Sequence, residues 1–173
     1  VGKDHQNILG NTLHDIAIEK AGIIKRGTPT LLGGDIKETK YIFEQIALEK
    51  NAEIYQANEG RQDDNSLPKY QQNNWETAIK ATEILKEEFP IKPINKKPSN
   101  YLTIKGRWQV LSDQPKIIAD IGHNEQGMAA IARQIEKENF ENLYVILGFS
   151  EDKDLKTITK NLPKATNYFL TKS

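Results

Sequence analysis

Cysteine is absent from all 173 residues. That excludes disulfides, thiolate metal sites and a cysteine nucleophile, and it fits the reducing cytoplasm expected as the protein's compartment. An excess of charge of either sign is also missing, since 24 Lys and Arg balance 24 Asp and Glu for a formal net charge of +0. A balanced chain gives no electrostatic reason to expect nucleic acid or an anionic membrane as a partner. No apolar run approaches the roughly 18 residues of a membrane span, and no signal peptide is visible. Neither G-x-x-x-x-G-K-[ST] nor a dinucleotide glycine fingerprint occurs, so "VGKD" at the start is no phosphate loop. H-E-x-x-H, a Ser-His-Asp arrangement and internal repeats are likewise not found. What is present, 37% hydrophobic and 28% charged residues, suits a globular protein with a sizeable core, in one large domain or two small ones.

The opening "VGKDHQNILG" reads like the middle of an element, which leads to the expectation of an internal piece of a longer protein. A helix is predicted from about Asn11 or Thr12, with Thr12 and Asp15 in capping-box relation, and "RGTP" stops it before Pro29. "TPTLLGG" (28–34) reads as a strand, "KETKYIFEQIALEKN" (37–51) as an amphipathic helix and "AEIYQA" (52–57) as a strand. After the polar loop "NEGRQDDNSLPK", residues 70–89 form a long helix with Trp75, Ala78, Ile79, Thr82, Leu85 and Phe89 as its predicted buried face. "PIKPINKKPSN" (90–100), with three prolines and three lysines, is the best linker candidate. Beyond it the pattern restarts as strand "RWQVLS", strand "KIIADIG", helix 125–138, strand "LYVILGFS", helix "DLKTITKNL" and strand "TNYFLT". Near-continuous apolar strands in βαβαβ order predict a parallel sheet covered by helices, with ligands at the carboxyl ends of its strands.

Several residues carry chemistry. At helical spacing, Leu13, Ile16, Ala17, Lys20, Ala21 and Ile24 share one face, five apolar residues and a lysine. An inward Lys20 has two readings. Its stem snorkels along the apolar face to put the ammonium in water, or burial keeps the amine neutral, and a neutral amine takes up carbon dioxide to become a carbamate. A carbamate is a carboxylate on a long arm, suited to magnesium or its water shell. Periodicity alone does not choose between them. Asp4 and His5 fall where a strand gives way to a loop, where His5 is either structural or a ligand. "DIGHN" sets Asp120, His123 and Asn124 after a buried strand; Asn124 is a candidate helix cap, leaving Asp120 and His123 for a ligand. Arg107 in "KGRWQVL" is suited to a bidentate phosphate clamp, or is a solvated surface arginine. "GFSEDKD" (148–154) is compatible with a helix start whose acids meet the N-terminal dipole.

Taken together, "DHQNILGNTLHDIAIEKAGIIKRGTP", "YQQNNWETAIKA", "GRWQVL", "DIGHN" and "GFSEDKD" resemble, in order and spacing, folylpolyglutamate synthase/dihydrofolate synthase of the Mur ligase superfamily. The likeness runs from Asp4 to Thr171; it weakens in 58–68, and "DIGHN" departs from D-G-A-H-N at its two middle positions, which shape a turn. It implies an α/β protein comprising the C-terminal part of a Mur-ligase-type central ATPase domain followed by an incomplete Rossmann-like glutamate-ligase domain. The implied boundaries are 1–92 for the ATP-binding portion, 93–99 for the linker and 100–173 for the ligase portion. The implied reaction is ATP-dependent, through an acyl phosphate of folate or pteroate that L-glutamate attacks, with magnesium at the phosphates. By motif, His5 is implied as a magnesium ligand and Lys20 as the lysine carbamylated in relatives. Asn74 is implied near the adenine, Arg107 at the ATP phosphates, Asp120 at the ribose or nearby nucleotide, and His123 near the phosphates and incoming glutamate. Partners are then small molecules acting on a monomer, with neither nucleic acid nor membrane. With no phosphate loop, the chain alone is expected to lack ligase activity and to bind ATP weakly. The alternatives are a muropeptide-type amino-acid ligase of the same superfamily and a non-catalytic binding module with this fold.

Overall fold

The computed structural model describes residues 10, 12–34, 36–57, 68–92, 104–150, 153 and 155–171. Asp4, His5, the linker expected at 93–99, and the acids Glu151 and Asp152 lie outside the described residues. The chain divides into two compact units, Val1–Thr103 and Ile104–Ser173.

In the first unit α1 (Leu13–Ala21) begins where its sequence says it should. The Thr12 hydroxyl oxygen accepts the Asp15 N–H at 3.1 Å, and the Asp15 carboxylate accepts the Thr12 N–H at 3.3 Å, so two otherwise unpaired helix-end donors are satisfied. Ile16, Ala17 and Ala21 are completely buried, and the two alanines, having almost no side chain, let α2 (Lys40–Glu49) approach closely. Ile42, Phe43 and Ala47 of α2 join Ala17, Ala21, Ile24 and Leu32 in one apolar cluster. Strand β1 (Thr30–Leu32) pairs in parallel with β2 (Ile54–Gln56), Thr30 opposite Ile54.

Helix α3 (Lys69–Leu85) follows Pro68, whose carbonyl accepts the N–H groups of Gln71 and Gln72. It lies against β1 so closely that a Cβ on Gly33 would stand 2.8 Å from the Thr77 hydroxyl oxygen. The buried face expected on this helix needs correction. Ile79 is buried, but so are Gln71 and Gln72, whereas Ala78, Leu85 and Phe89 are exposed. The N-terminal half of α3 meets the strand; the last turn runs past it into solvent, so periodicity located the stripe without locating its end.

In the second unit β3 (Gln109–Asp113) and β4 (Lys116–Ala119) form an antiparallel hairpin with a bulge at Leu111. The βαβαβ run expected to be parallel starts at β4, which among the described residues pairs with β3. Only Gln114 and Pro115 separate them, and a parallel pair needs a crossover of a dozen or more residues. Helix α4 (Glu125–Ile135) follows, and then β5 (Tyr144–Leu147), α5 (Leu155–Thr159) and β6 (Asn167–Leu170), where the predicted strand–helix–strand unit does form with β5 and β6 parallel. Among the described residues the three strand pairs are separate two-stranded sheets. So short a sheet leaves much of its apolar surface uncovered: Ile146 is 74% exposed and Leu170 82% exposed, against the expectation of strands buried on both faces. Buried apolar side chains of this unit include Met128 on α4 and Ile158 on α5, two helices in contact.

Candidate functional site

The hairpin brings Arg107, Asp120 and His123 to one hydrogen-bonded turn. Asp120 leaves β4 half-buried, and its carboxylate accepts two backbone N–H groups. One oxygen takes Trp108 at 2.8 Å and the other takes Gly122 at 2.8 Å. The Ile121 N–H donates to the Gly106 carbonyl at 2.8 Å, and the Gly106 N–H donates to Gln109 Oε1 at 2.9 Å. Gly106 and Trp108 both hold positive φ, at 71° and 51°, with exposed Arg107 between them. Glycine suits the first of these positions twice over. Its conformation is one that L side chains rarely adopt, and a Cβ there would come 2.6 Å from Ile121 Cγ2. Gly122 in turn gives Ile131 room, because a Cβ would stand 2.5 Å from Ile131 Cδ1. The two middle residues of "DIGHN" are thus fitted to their own neighbours.

His123 Nδ1 lies 3.0 Å from the Ile121 carbonyl oxygen. A carbonyl only accepts, so Nδ1 carries the hydrogen, and Nε2 is the acceptor nitrogen whenever the ring is neutral. Asn124 caps α4 by accepting the Gly127 N–H at 2.8 Å, which relieves Asp120 of that duty. The sequence reading found Asp120, His123, Asn124 and Arg107 but missed Gln109, whose contact with Gly106 closes the loop. A glycine before an arginine, followed by a polar residue at the start of a strand, was the available signal.

The remaining expected residues lie in the first unit. Lys20 stands in the middle of the α1 stripe, yet its side chain is exposed. The inward placement read from periodicity is therefore corrected. The wheel gives direction only: Ile16, Ala17, Ala21 and Ile24 around it are buried, while a lysine is long enough to reach water from the same stripe. The ammonium reaches water, so burial gives no argument for a carbamate here. Asn74 is exposed on α3, and His5 lies outside the described residues. No group of three or more His, Cys, Asp or Glu side chains converges as a cation cage among the described residues. Magnesium commonly keeps several waters and takes one or two protein ligands beside substrate phosphates. The described donors do not hold it by themselves.

Comparison with known proteins gives this geometry its context. Residues 106–173 match the Mur ligase, glutamate ligase domain. Folylpolyglutamate synthase of Lacticaseibacillus casei is 28% identical over 95% of this chain and 45% of that protein. Dihydrofolate synthase/folylpolyglutamate synthase of Bacillus subtilis is 28% identical over 94% of this chain and 44% of that protein. Along most of its length the chain is similar to folylpolyglutamate synthases and dihydrofolate synthases. It spans a little under half the length of the curated relatives it matches. Among solved structures, Mycobacterium tuberculosis folylpolyglutamate synthase complexed with ADP and AMPPCP has a TM-score of 0.82 at 19% identity, covering 99% of this chain and 46% of that one. A folylpolyglutamate synthase–AMPPCP–folate complex has a TM-score of 0.78 at 21% identity, covering 97% of this chain and 48% of that one. These likenesses establish the fold alone. Among its described residues no helix is long and apolar enough to cross a membrane.

Proposed function

We propose that this chain forms part of an ATP-dependent ligase that joins L-glutamate to dihydropteroate or to a folate. The single observation that carries the reading is the hydrogen-bonded turn of the glutamate-ligase domain, which presents Arg107 beside Asp120 and His123. The relatives' names and the nucleotide complexes of the structural neighbours support it. In this reading residues 1–92 belong to the ATP-binding domain, 93–99 to the linker and 100–173 to the ligase domain of a cytoplasmic, monomeric enzyme.

The chemistry has two steps. A carboxylate oxygen of the pteroate or folate attacks the γ-phosphorus of ATP, the bond to the β-phosphate oxygen breaks, and ADP leaves. The amino group of glutamate then attacks the acyl carbon, the carbon–oxygen bond to phosphate breaks, and the nitrogen loses a proton. Little covalent work falls to the protein; positioning and charge stabilisation dominate. Arg107 offers the ATP phosphates a planar fork of donors, and Asp120 meets the ribose or nearby nucleotide. His123, with Nε2 as its acceptor nitrogen, lies near the phosphates and takes up the proton that glutamate's amine gives up. Asn74 approaches the adenine. Lys20, if carbamylated in the full-length protein, and His5 would be the residues to hold magnesium, whose chemistry would be to neutralise phosphate charge.

The test is a ligase assay on the full-length protein with ATP, L-glutamate and either dihydropteroate or a reduced folate. One ADP should form per glutamate incorporated, and ADP formation that ignores glutamate would refute the proposal. The 173 residues alone, which contain no phosphate-loop motif, should show no turnover.

A further inference from the structure

We infer that Gln109 and Asp120 are positioning residues for Arg107, clamping the backbone on either side of it so that the guanidinium is presented to an anionic ligand from a fixed loop. The inference rests on the reading of Arg107 as a phosphate-binding residue, and it adds a role that the reading does not contain. An arginine on a loose loop must be ordered each time it binds, and ordering costs affinity. Here the ordering is built in before any ligand arrives. Gln109 Oε1 holds the N–H of residue 106 at 2.9 Å, and Asp120 Oδ2 holds the N–H of residue 108 at 2.8 Å. These are the amides on either side of Arg107. The Gly106 carbonyl is also engaged, by the Ile121 N–H at 2.8 Å. Trp108, a bulky residue at φ 51°, occupies a conformation that persists only where surroundings over-determine it.

Gln109 separates this role from nucleotide contact better than Asp120 does, because Asp120 is itself a candidate nucleotide ligand. Its side chain is half-buried, and its carboxamide oxygen is already engaged with Gly106. Gln109→Met keeps the length and removes the acceptor. Gln109→Glu keeps an acceptor oxygen.

The experiment uses the isotope-labelled 173-residue chain, with ATP as the probe, followed by NMR. Two readouts are taken: hydrogen-exchange protection of the Gly106 and Trp108 amides, and the ATP concentration that half-saturates the shifts at residues 106–108. Gln109→Met should lower Gly106 protection and raise the half-saturating ATP concentration, each by about tenfold, the scale of one lost hydrogen bond. The amides of β5 and β6 should be unchanged, which guards against simple unfolding. Gln109→Glu should restore Gly106 protection. If protection falls in Gln109→Met but ATP binding does not weaken, the contact is merely structural and the inference is overturned. Arg107→Ala is the separate control. If it leaves the ATP shifts intact, the phosphate-binding reading of Arg107 fails and this inference falls with it; if it abolishes them while Gln109→Met does not, only this inference falls.

Discussion

Replacing Gly106 by alanine probes the turn at its tightest point. Two costs are written in the geometry. Glycine holds φ 71° there, and an L residue in the left-handed region costs about 1–2 kcal/mol. The added methyl would also sit 2.6 Å from Ile121 Cγ2, inside any real carbon–carbon contact. The obstructing atom is the end of a side chain 55% exposed to solvent, so it can rotate away at a cost of about 1 kcal/mol, that of an off-rotamer side chain. Against these stands the reduced freedom of the unfolded chain, which favours alanine by about 0.4–1 kcal/mol. The net expectation is a destabilisation of about 1–2 kcal/mol, confined to the second unit. Urea denaturation followed by fluorescence reads it, since Trp75 reports the first unit and Trp108 the second. A double-mutant cycle divides the terms. In an Ile121→Ala background the methyl clash disappears, so Gly106→Ala should cost about 1 kcal/mol less there. An unchanged cost in both backgrounds would refute the steric part of the reasoning, and a neutral or stabilising Gly106→Ala would refute all of it.

Lys20→Ala should leave stability within about 0.5 kcal/mol, because the side chain is exposed, while reducing ligase turnover in the full-length protein about a hundredfold, the scale of losing one charge partner in a transition state. Retained activity would leave snorkelling as the whole account of this lysine. A third expectation concerns acid. The Asp15 carboxyl is held below its ordinary value of 3.8, chiefly by the hydrogen bond from the Thr12 hydroxyl. A carboxyl with a depressed folded value contributes stability above its unfolded value, and that contribution is lost as pH falls through the folded value. The wild-type advantage over Thr12→Ala in urea denaturation should therefore shrink from about pH 5 to about pH 2, and an advantage that is constant or grows toward acid would contradict the capping-box assignment.

Local chemistry was legible in the sequence, while tertiary context was not. The capping box of Thr12 and Asp15, the cap at Asn124 and the order of helices and strands follow from residue types a few positions apart. The wheel of α1 identified Ile16, Ala17 and Ala21 as core, yet it turned Lys20 inward as well, because direction on a helix does not reveal what a side chain meets at its end. The same limit misjudged the end of α3, where Leu85 and Phe89 continue an apolar stripe past the strand that buries it. Strand pairing failed differently. The apolar βαβαβ run suggested one parallel sheet, of which β5 and β6 pair as expected, whereas β4 pairs among the described residues with β3 in a hairpin that draws Arg107 toward Asp120. Gln109 escaped notice because the glycine, arginine and strand-opening polar residue, though a signal in sequence, do not reveal the turn that brings its side chain back to the Gly106 amide.

The central claim, a ligase working through an acyl phosphate, is tested most directly by labelling the carboxylate oxygens of dihydropteroate or of the folate with heavy oxygen and following the label in the full-length protein's reaction. The account predicts that each glutamate incorporated transfers one labelled oxygen into inorganic phosphate, because the bridging oxygen leaves with phosphate when the amine attacks. Unlabelled phosphate in the presence of amide product, or AMP as the nucleotide product, would contradict it.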